Sequence, residues 1–129
     1  MSMKSKGSNA ERSLIRKFWE TGRWAAMRAA GSGSCLFPSP DLIAGNTLRK
    51  LAIECKVSGG EAKYLTRAEV QELQSFALLF GAEIWIAVRF DRGEWYFFTV
   101  EDMRQTENSY VISREDARKK GITFSELIS

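Results

Sequence analysis

The chain contains no histidine, only two cysteines and no long apolar run. The first two features exclude several kinds of catalytic and metal site, and the third excludes a membrane-spanning helix. The absence of imidazole excludes triads and general acid–base chemistry based on histidine, and metal sites that combine histidine with cysteine. Cys35 and Cys55 are too few for a disulfide framework or a tetrahedral zinc site. We expect Cys55 to pack as a small apolar residue in a reducing compartment. Any catalysis must therefore use carboxylates, lysine, hydroxyl groups or a metal ion.

The absence of a long apolar run also indicates where in the cell the protein is located. A membrane-spanning helix needs about 18 or more consecutive apolar residues, so we expect no membrane span and no membrane partner. The stretch Met1-Ser2-Met3-Lys4 lacks the apolar core of a signal peptide, and we expect a cytoplasmic protein. A length of 129 residues with a hydrophobic fraction of 44% predicts a single domain over residues 1–129 with one continuous core.

Positive charge is concentrated in the first half of the chain. Residues 1–65 contain eleven Lys or Arg and five Asp or Glu, whereas residues 66–129 contain eight and eleven. A basic half favours a polyanionic partner such as nucleic acid. A solvated basic surface without any partner explains the same charge equally well.

Hydrophobic spacing and capping signals predict two main helices. The first runs over about 9–21, begins with a capping box between Ser8 and Glu11 and stops at Gly22; the second begins at the Thr66–Glu69 capping box and ends at Gly81. Strands are predicted over 23–29, 41–45, 50–57, 83–90 and 94–100, followed by short elements that end near 124–128. The order α-β-β-β-α-β-β predicts an α/β fold, a central mixed β-sheet flanked by α-helices.

Charged side chains lie on two strands that the sheet needs. Alternation places Glu54 and Lys56 on one face of their strand, and a turn at Gly45-Asn46 can bring Asp41 beside them. Two adjacent carboxylates repel each other unless one is protonated or a cation lies between them. Mg²⁺ favours a site with one or two carboxylates and retained waters. The alternative is a simple Glu54–Lys56 salt bridge on an exposed strand face.

The first helix provides another inward carboxylate. At 100° per residue, Glu11 lies on the midline of the apolar stripe formed by Leu14, Ile15, Phe18 and Trp19. A carboxylate in that position is costly unless it is paired or bound to a metal. Glu11 alternatively closes only the capping box at the water-accessible helix end. Arg12 flanks the stripe and could reach a phosphate, or remain an ordinary solvated arginine.

The segment from Arg28 to Ser34 is rich in small residues. Such residues let backbone N–H groups approach a phosphate closely, and Ser32 adds a hydroxyl group. A flexible connector would have the same composition.

These residues together resemble a known nuclease superfamily. Pro40-Asp41 followed by Glu54-Cys55-Lys56 matches the PD-(D/E)xK pattern, whose core is restriction-endonuclease-like. A larger set is similar to the archaeal-type Holliday junction resolvases in order and spacing from residue 4 to about 100: Lys6-Gly7, Glu11-Arg12, Arg28, Gly31-Ser32-Gly33, Pro40 to Asn46 and Glu54-x-Lys56.

The resemblance implies a homodimeric enzyme that resolves four-way DNA junctions by paired incisions. It implies a metal site at Glu11, Asp41 and Glu54, a catalytic role for Lys56, and assistance from Ser32. It also assigns DNA contacts to the basic amino terminus and loop: Lys4, Lys6, Arg12, Arg28 and Ser32. We expect Mg²⁺, with Mn²⁺ as a substitute and no small-molecule cofactor, and the backbone carbonyl of Cys55 is a further candidate ligand.

Two questions stay open at the level of sequence. Aromatic residues of the last two strands, Trp85, Trp95, Phe97 and Phe98, are candidates for the dimer interface, or they form an ordinary core. The same motif also suits a restriction-type or repair nuclease that acts on linear duplex DNA. A DNA-binding module without catalytic activity is the third possibility, which the intact acidic set and lysine disfavour.

Overall fold

A mixed β-sheet covered by helices on both faces forms the centre of the molecule. The computed structural model describes the backbone of residues 3–29 and 36–129, and side chains from Gly7 onward within those ranges. Its elements are α1 (Met3–Glu20), β1 (Ala25–Arg28), β2 (Leu42–Gly45), β3 (Lys50–Ser58), β4 (Ala62–Thr66), α2 (Arg67–Phe80), β5 (Glu83–Phe90), β6 (Trp95–Phe98), a 3₁₀ turn (Val100–Asp102), β7 (Arg104–Gln105), β8 (Ser109–Ser113), α3 (Arg114–Lys120) and α4 (Phe124–Ile128).

The main sheet has five strands in the order β1-β2-β3-β5-β6. Strands β3 and β5 are parallel, with Leu51 opposite Glu83, and the other neighbours are antiparallel. The parallel pair is joined through β4 and α2, since a crossover is needed to return the chain in the same direction. The predicted α/β fold class with a central mixed sheet is confirmed.

Two apolar cores lie on opposite faces of this sheet. On one face, Leu14 and Phe18 of α1 pack against Leu42, Leu51 and Ile53 of the strands, with Cys55 and Val57 at the margin. The other face packs against α2 and α3, and its buried residues include Ala52, Val70, Leu73, Ala77, Ile86, Val88 and Ala117. Helices on both faces explain why β5 carries the apolar run Ile84 to Val88.

A small second sheet, with strand order β4-β8-β7, was not predicted from the sequence. Strand β4 buries only Leu65 among its five residues, so it lacks the alternation of buried and exposed side chains that marks a strand. Its backbone hydrogen bonds go to β8, which is more than 40 residues away along the chain. The prediction of a short final element near 124–128 is confirmed by α4.

Helix boundaries were predicted with mixed success. The Thr66–Glu69 capping box is present, and Gly81 ends α2 in the left-handed conformation with a φ of 81°. The capping box at Ser8 and Glu11 was wrong, because α1 begins at Met3 and Ser8 lies inside it. The hydroxyl of Ser8 instead accepts a hydrogen bond from Arg28 Nη2 at 3.1 Å.

The aromatic residues proposed for a dimer interface belong to the core. Trp95, Phe97 and Phe98 are at most 3% exposed, and Trp85 packs half-buried against the α1 side. Phe97 faces α4, where its ring centroid lies 6.3 Å from that of Phe124, while Phe98 belongs to the core that contains Ala117 of α3. For Trp95, Phe97 and Phe98 the alternative of an ordinary core therefore holds, because two C-terminal helices that the sequence pattern left undefined cover both faces of β6.

Within the described ranges, no helix is long and apolar enough to cross a membrane.

Candidate active site

Asp41 occupies the point where β2 begins beside β3. The paired residues of β2 and β3 end with Leu42 opposite Ile53, and Asp41 is the residue immediately before β2. The Asp41 backbone N–H donates to the Ile53 carbonyl at 3.1 Å, and its own carbonyl accepts from the Ala29 N–H at 3.0 Å. The carboxylate oxygen Oδ2 accepts from the backbone N–H of Cys55 at 2.8 Å. Three strands therefore fix the position of this one carboxylate.

Glu54 is an acid with a side chain only 15% exposed, and its raised pKa favours the protonated form at neutral pH. The pKa of Glu54 is raised to about 8, mainly by burial and then by the negative charge of Asp41, and Lys56 only partly opposes these effects. A hydrogen bond between the two side chains also favours the protonated form of Glu54. Burial and the neighbouring Asp41 thus both favour the protonated form of Glu54.

Glu11 brings a third carboxylate from α1 to the same place. Its side chain is only 15% exposed, and its pKa is raised by burial and by Asp41. Arg28 at the end of β1 opposes this shift through an ion pair of 3.0 Å between its Nε and Glu11 Oε1. Asp41 therefore acts electrostatically on both Glu11 and Glu54, and the structure brings together the three acidic residues that the sequence singled out.

Lys56 lies beside Glu54 on the α2 side of the sheet. Its Nζ is 3.5 Å from Glu54 Oε2 and also forms an ion pair with Glu69 Oε2. Burial alone would lower the pKa of Lys56, but the contacts with Glu69, Glu54 and Asp41 together raise it. The side chain is therefore a charged ammonium group, only 19% exposed, next to the carboxylates.

Sequence reasoning assigned Glu69 only to the cap of α2 and missed its contact with Lys56. The two residues are 13 positions apart and lie on different elements, so no local pattern links them. The pKa of Glu69 is lowered: burial opposes the shift, but hydrogen bonds from Lys56 and Thr66 outweigh it.

The acidic side chains near Asp41 offer oxygen atoms, the ligand type that hard divalent cations prefer. Among the described residues, no group of three or more His, Cys, Asp or Glu side chains is placed to hold a metal ion. Arg28 forms an ion pair with Glu11, and the Cys55 backbone N–H donates a hydrogen bond to one carboxylate oxygen of Asp41. Mg²⁺ needs no group of three side chains, because it binds through one or two carboxylates and keeps several waters. The mutual repulsion that raises the pKa of Glu54 is what a cation at this position would relieve.

The remaining predicted residues lie at the margin of the site or outside the described part. Arg12 is exposed on α1 and donates to Asn9 Oδ1 at 3.1 Å. The Lys4 and Lys6 side chains and all of Ser32 fall outside the residues that the structure describes. The thiol pKa of Cys55 is raised well above its usual value by burial, then by Asp41 and Glu11. Its sulfur is therefore a neutral apolar group, as the sequence predicted.

Comparison with known proteins agrees with this architecture. A model of the archaeal Holliday junction resolvase (Hjc) family matches residues 2–129. The crossover junction endodeoxyribonuclease Hjc of Archaeoglobus fulgidus is 42% identical over 125 residues, 97% of this chain and 90% of the relative. The enzyme of the same name from Methanocaldococcus jannaschii is 34% identical over 95% of this chain and 86% of its own length.

A solved structure gives the same result in three dimensions. The structure of Archaeoglobus fulgidus Hjc, described as a Holliday junction resolvase from an archaeal hyperthermophile, superimposes with a TM-score of 0.86 at 38% identity. The match covers 93% of this chain and 96% of that one. The fold is thus the restriction-endonuclease-like fold of a large group of nucleases. Within that group, the chain belongs to the archaeal Holliday junction resolvase family.

Proposed function

We propose that this protein is a crossover junction endodeoxyribonuclease, a single nuclease domain over residues 1–129 that resolves four-way DNA junctions by paired phosphodiester hydrolysis. Family membership supports the substrate class. The observation that carries the chemistry is the position of Asp41, whose charge adds to burial in raising the pKa values of both Glu11 and Glu54 beside the Lys56 ammonium group. This is an acidic site that can receive a divalent ion and a phosphate.

Asp41 and Glu54 would hold Mg²⁺, or Mn²⁺ in its place, and Glu11 would complete or tune the ligand set. The ion supplies a bound water of lowered pKa and neutralises charge on the phosphate. Because the Cys55 N–H points toward Asp41, the Cys55 carbonyl points to the same side of β3 and is a further candidate ligand. Glu54 would lose its proton when the ion binds.

Lys56 and the arginines act on the DNA. The Lys56 ammonium would orient the attacking water or stabilise the charge that develops on the phosphate. Arg28 is 43% exposed and Arg12 is exposed, so both can contact the backbone phosphates next to the site. Lys4, Lys6 and Ser32 remain proposed DNA contacts, and Ser32 a proposed catalytic assistant, by resemblance to the family.

A homodimer would provide two equivalent active sites for the two strands that must be cut. A two-fold axis of the protein would match the pseudo-symmetry of a four-way junction. The surface that suits the contact is the apolar end of α2, which we define as Phe76, Leu78, Leu79 and Phe80. Leu78 and Leu79 are 84% and 91% exposed, and Phe80 is 45% exposed and stacked on Phe76 at 5.1 Å. Large apolar residues this exposed on one helix end indicate a contact surface.

The test is a comparison of cleavage between a four-way junction and its linear duplex arms in Mg²⁺. We expect paired nicks in the junction only, and no cleavage when the metal is chelated. The Glu54→Ala and Lys56→Ala variants should cut at least about 100-fold more slowly but still bind the junction. Equal cutting of the linear arms would instead indicate a nuclease of linear duplex DNA. Cleavage by Glu54→Ala at the normal rate would show that the site is assigned to the wrong residues.

A further inference from the structure

Glu69 joins the start of α2 to the candidate active site. It is the third residue of the helix, and its Oε1 accepts a hydrogen bond from the Thr66 backbone N–H at 3.0 Å. In return the Thr66 hydroxyl accepts from the Glu69 N–H at 3.0 Å, which completes the capping box. The second oxygen, Oε2, pairs with Lys56 Nζ on β3. One carboxylate therefore has partners on two elements.

This arrangement restrains a side chain that would otherwise be mobile. Lysine carries its charge on a flexible four-carbon stem, so its position depends on the partners of the ammonium group. The closer partner of Lys56 is Glu69, and Glu54 Oε2 is 3.5 Å away. Glu69 is itself fixed by the cap and is favoured as an anion at a helix N-terminus.

The two carboxylate partners of Lys56 differ in what metal binding would do to them. Glu54 would share its charge with the ion, which weakens its attraction for the ammonium group. Glu69 is tied to the α2 cap and is not among the proposed ligands, so its hold on Lys56 would persist in the loaded enzyme. The pair with Glu69 is thus the one that can keep Lys56 in place during the reaction.

We propose that Glu69 is a positioning residue for the reaction: held by the α2 capping box, it keeps the Lys56 ammonium group beside Glu54 at the scissile phosphate. This inference rests on the proposed nuclease function, in which Lys56 acts on the phosphate. Misplacement of a catalytic group by about 1 Å can lower a rate by about 100-fold.

The substitution Glu69→Gln separates positioning from folding. Glutamine also closes a capping box, so the helix start is retained while the charge that holds Lys56 is removed. We expect the single-turnover cleavage rate on a four-way junction to fall about 10- to 100-fold. The dissociation constant for the same junction, measured without divalent metal, should stay within about twofold of the unsubstituted value, because Glu69 is not a proposed DNA contact. A rate equal to or above that of the unsubstituted protein would overturn the proposal, as would a fall that comes entirely from weaker binding.

Two matched variants test whether helix capping alone explains the result. Thr66→Ala removes the hydroxyl that accepts from the Glu69 backbone N–H, but it keeps the backbone N–H of residue 66 that holds the Glu69 carboxylate. It should therefore lower the melting temperature without slowing cleavage. Glu126→Gln makes the same change at the equivalent position of the Thr123–Glu126 capping box of α4, whose carboxylate bonds the Thr123 backbone N–H at 2.9 Å. It should cleave at the unsubstituted rate. A loss of rate in Thr66→Ala equal to that in Glu69→Gln would make Glu69 a purely structural residue. Absence of cleavage by the unsubstituted protein would instead refute the nuclease function itself.

Discussion

At the scale of single residues, Glu54 illustrates a conflict between stability and function. Its folded-state pKa of about 8 lies above the ordinary value of 4.5. The unfolded chain therefore releases this proton at lower pH than the folded protein does. Between pH 4.5 and pH 8 the folded state binds more protons, so the contribution of Glu54 to the free energy of unfolding decreases as the pH rises. The decrease is complete above about pH 8, where the acid is ionised in both states.

We expect Glu54→Gln to stabilise the protein at alkaline pH when divalent metal is chelated. Glutamine resembles the protonated acid: it can donate to Asp41 but carries no charge to bury. At pH 9 the free energy of unfolding should exceed that of the unsubstituted protein by about 2 kcal/mol or more, and at pH 5 the two proteins should be similar. Denaturant titrations at both pH values measure this difference. A difference that is the same at both pH values would show that Glu54 titrates near its ordinary pKa in the folded state.

At the scale of elements, local signals in the sequence predicted the parts that hold the site. The Thr66 cap and the Gly81 stop predict α2, and the strands predicted over 41–45 and 50–57 around the Gly45-Asn46 turn correspond to β2 and β3, the hairpin that joins Asp41 to Glu54. Each of these signals is local, because a cap or a turn depends on a few neighbouring residues. The approach of Asp41 to Glu54 could be anticipated for the same reason, whereas the addition of Glu11 came from its place on the apolar stripe of the first helix and from the family resemblance.

The features that the sequence did not reveal depend on contacts between distant residues. Strand β4 is a strand because β8 pairs with it, and β6 is covered because α3 and α4 fold back over it. The start of α1 at Met3 was missed because Ser8 and Glu11 have capping spacing, yet both side chains bond to Arg28 on β1. The position of Glu69 beside Lys56 belongs to this group, since only the packing of α2 on β3 creates it.

The end of α2 gives a prediction about a single element. Gly81 has a φ of 81°, and a Cβ there would meet no heavy atom within 4 Å, so Gly81→Ala introduces backbone strain without a clash. We expect a loss of about 1 kcal/mol in the free energy of unfolding. Gln71→Ala, at an exposed position inside the same helix, should change it by no more than about 0.5 kcal/mol. Denaturant titration of both variants measures these changes in the free energy of unfolding. If Gly81→Ala were as stable as Gln71→Ala, the left-handed conformation would not be needed to end α2.

At the scale of the whole molecule, the active site and the proposed dimer contact lie toward opposite ends of α2. Glu69 in the first turn contacts Lys56, and the apolar end, Phe76 to Phe80, closes the same helix 7 to 11 residues later. An α-helix rises about 1.5 Å per residue, so these features are separated by roughly 10–17 Å along one rigid element. A contact between two copies at the apolar end would therefore fix the distance between two active sites through a single helix from each copy.

This geometry predicts that the integrity of the dimer decides whether incisions are paired. Leu79→Glu adds a charge to the apolar end at a side chain that is 91% exposed, so the fold of one chain should be unaffected while two copies should separate. Leu48→Glu makes the same change at a side chain that is 90% exposed in the turn between β2 and β3, and it serves as the control. Sedimentation should give twice the mass of a 14.6 kDa chain for the unsubstituted protein and for Leu48→Glu, but one chain for Leu79→Glu.

The products formed from a plasmid that carries a cruciform extend the same test to function. Two incisions within one bound complex convert the plasmid to a linear molecule, whereas a single incision leaves a nicked circle. The control should give linear product, and Leu79→Glu should give nicked circles or no product, because each of its copies carries only one site. A Leu79→Glu protein that remains a dimer and yields linear product would place the two-fold contact on another surface. If the unsubstituted protein sediments with the mass of one chain, the dimer model is wrong. Paired cutting would then need two independent binding events.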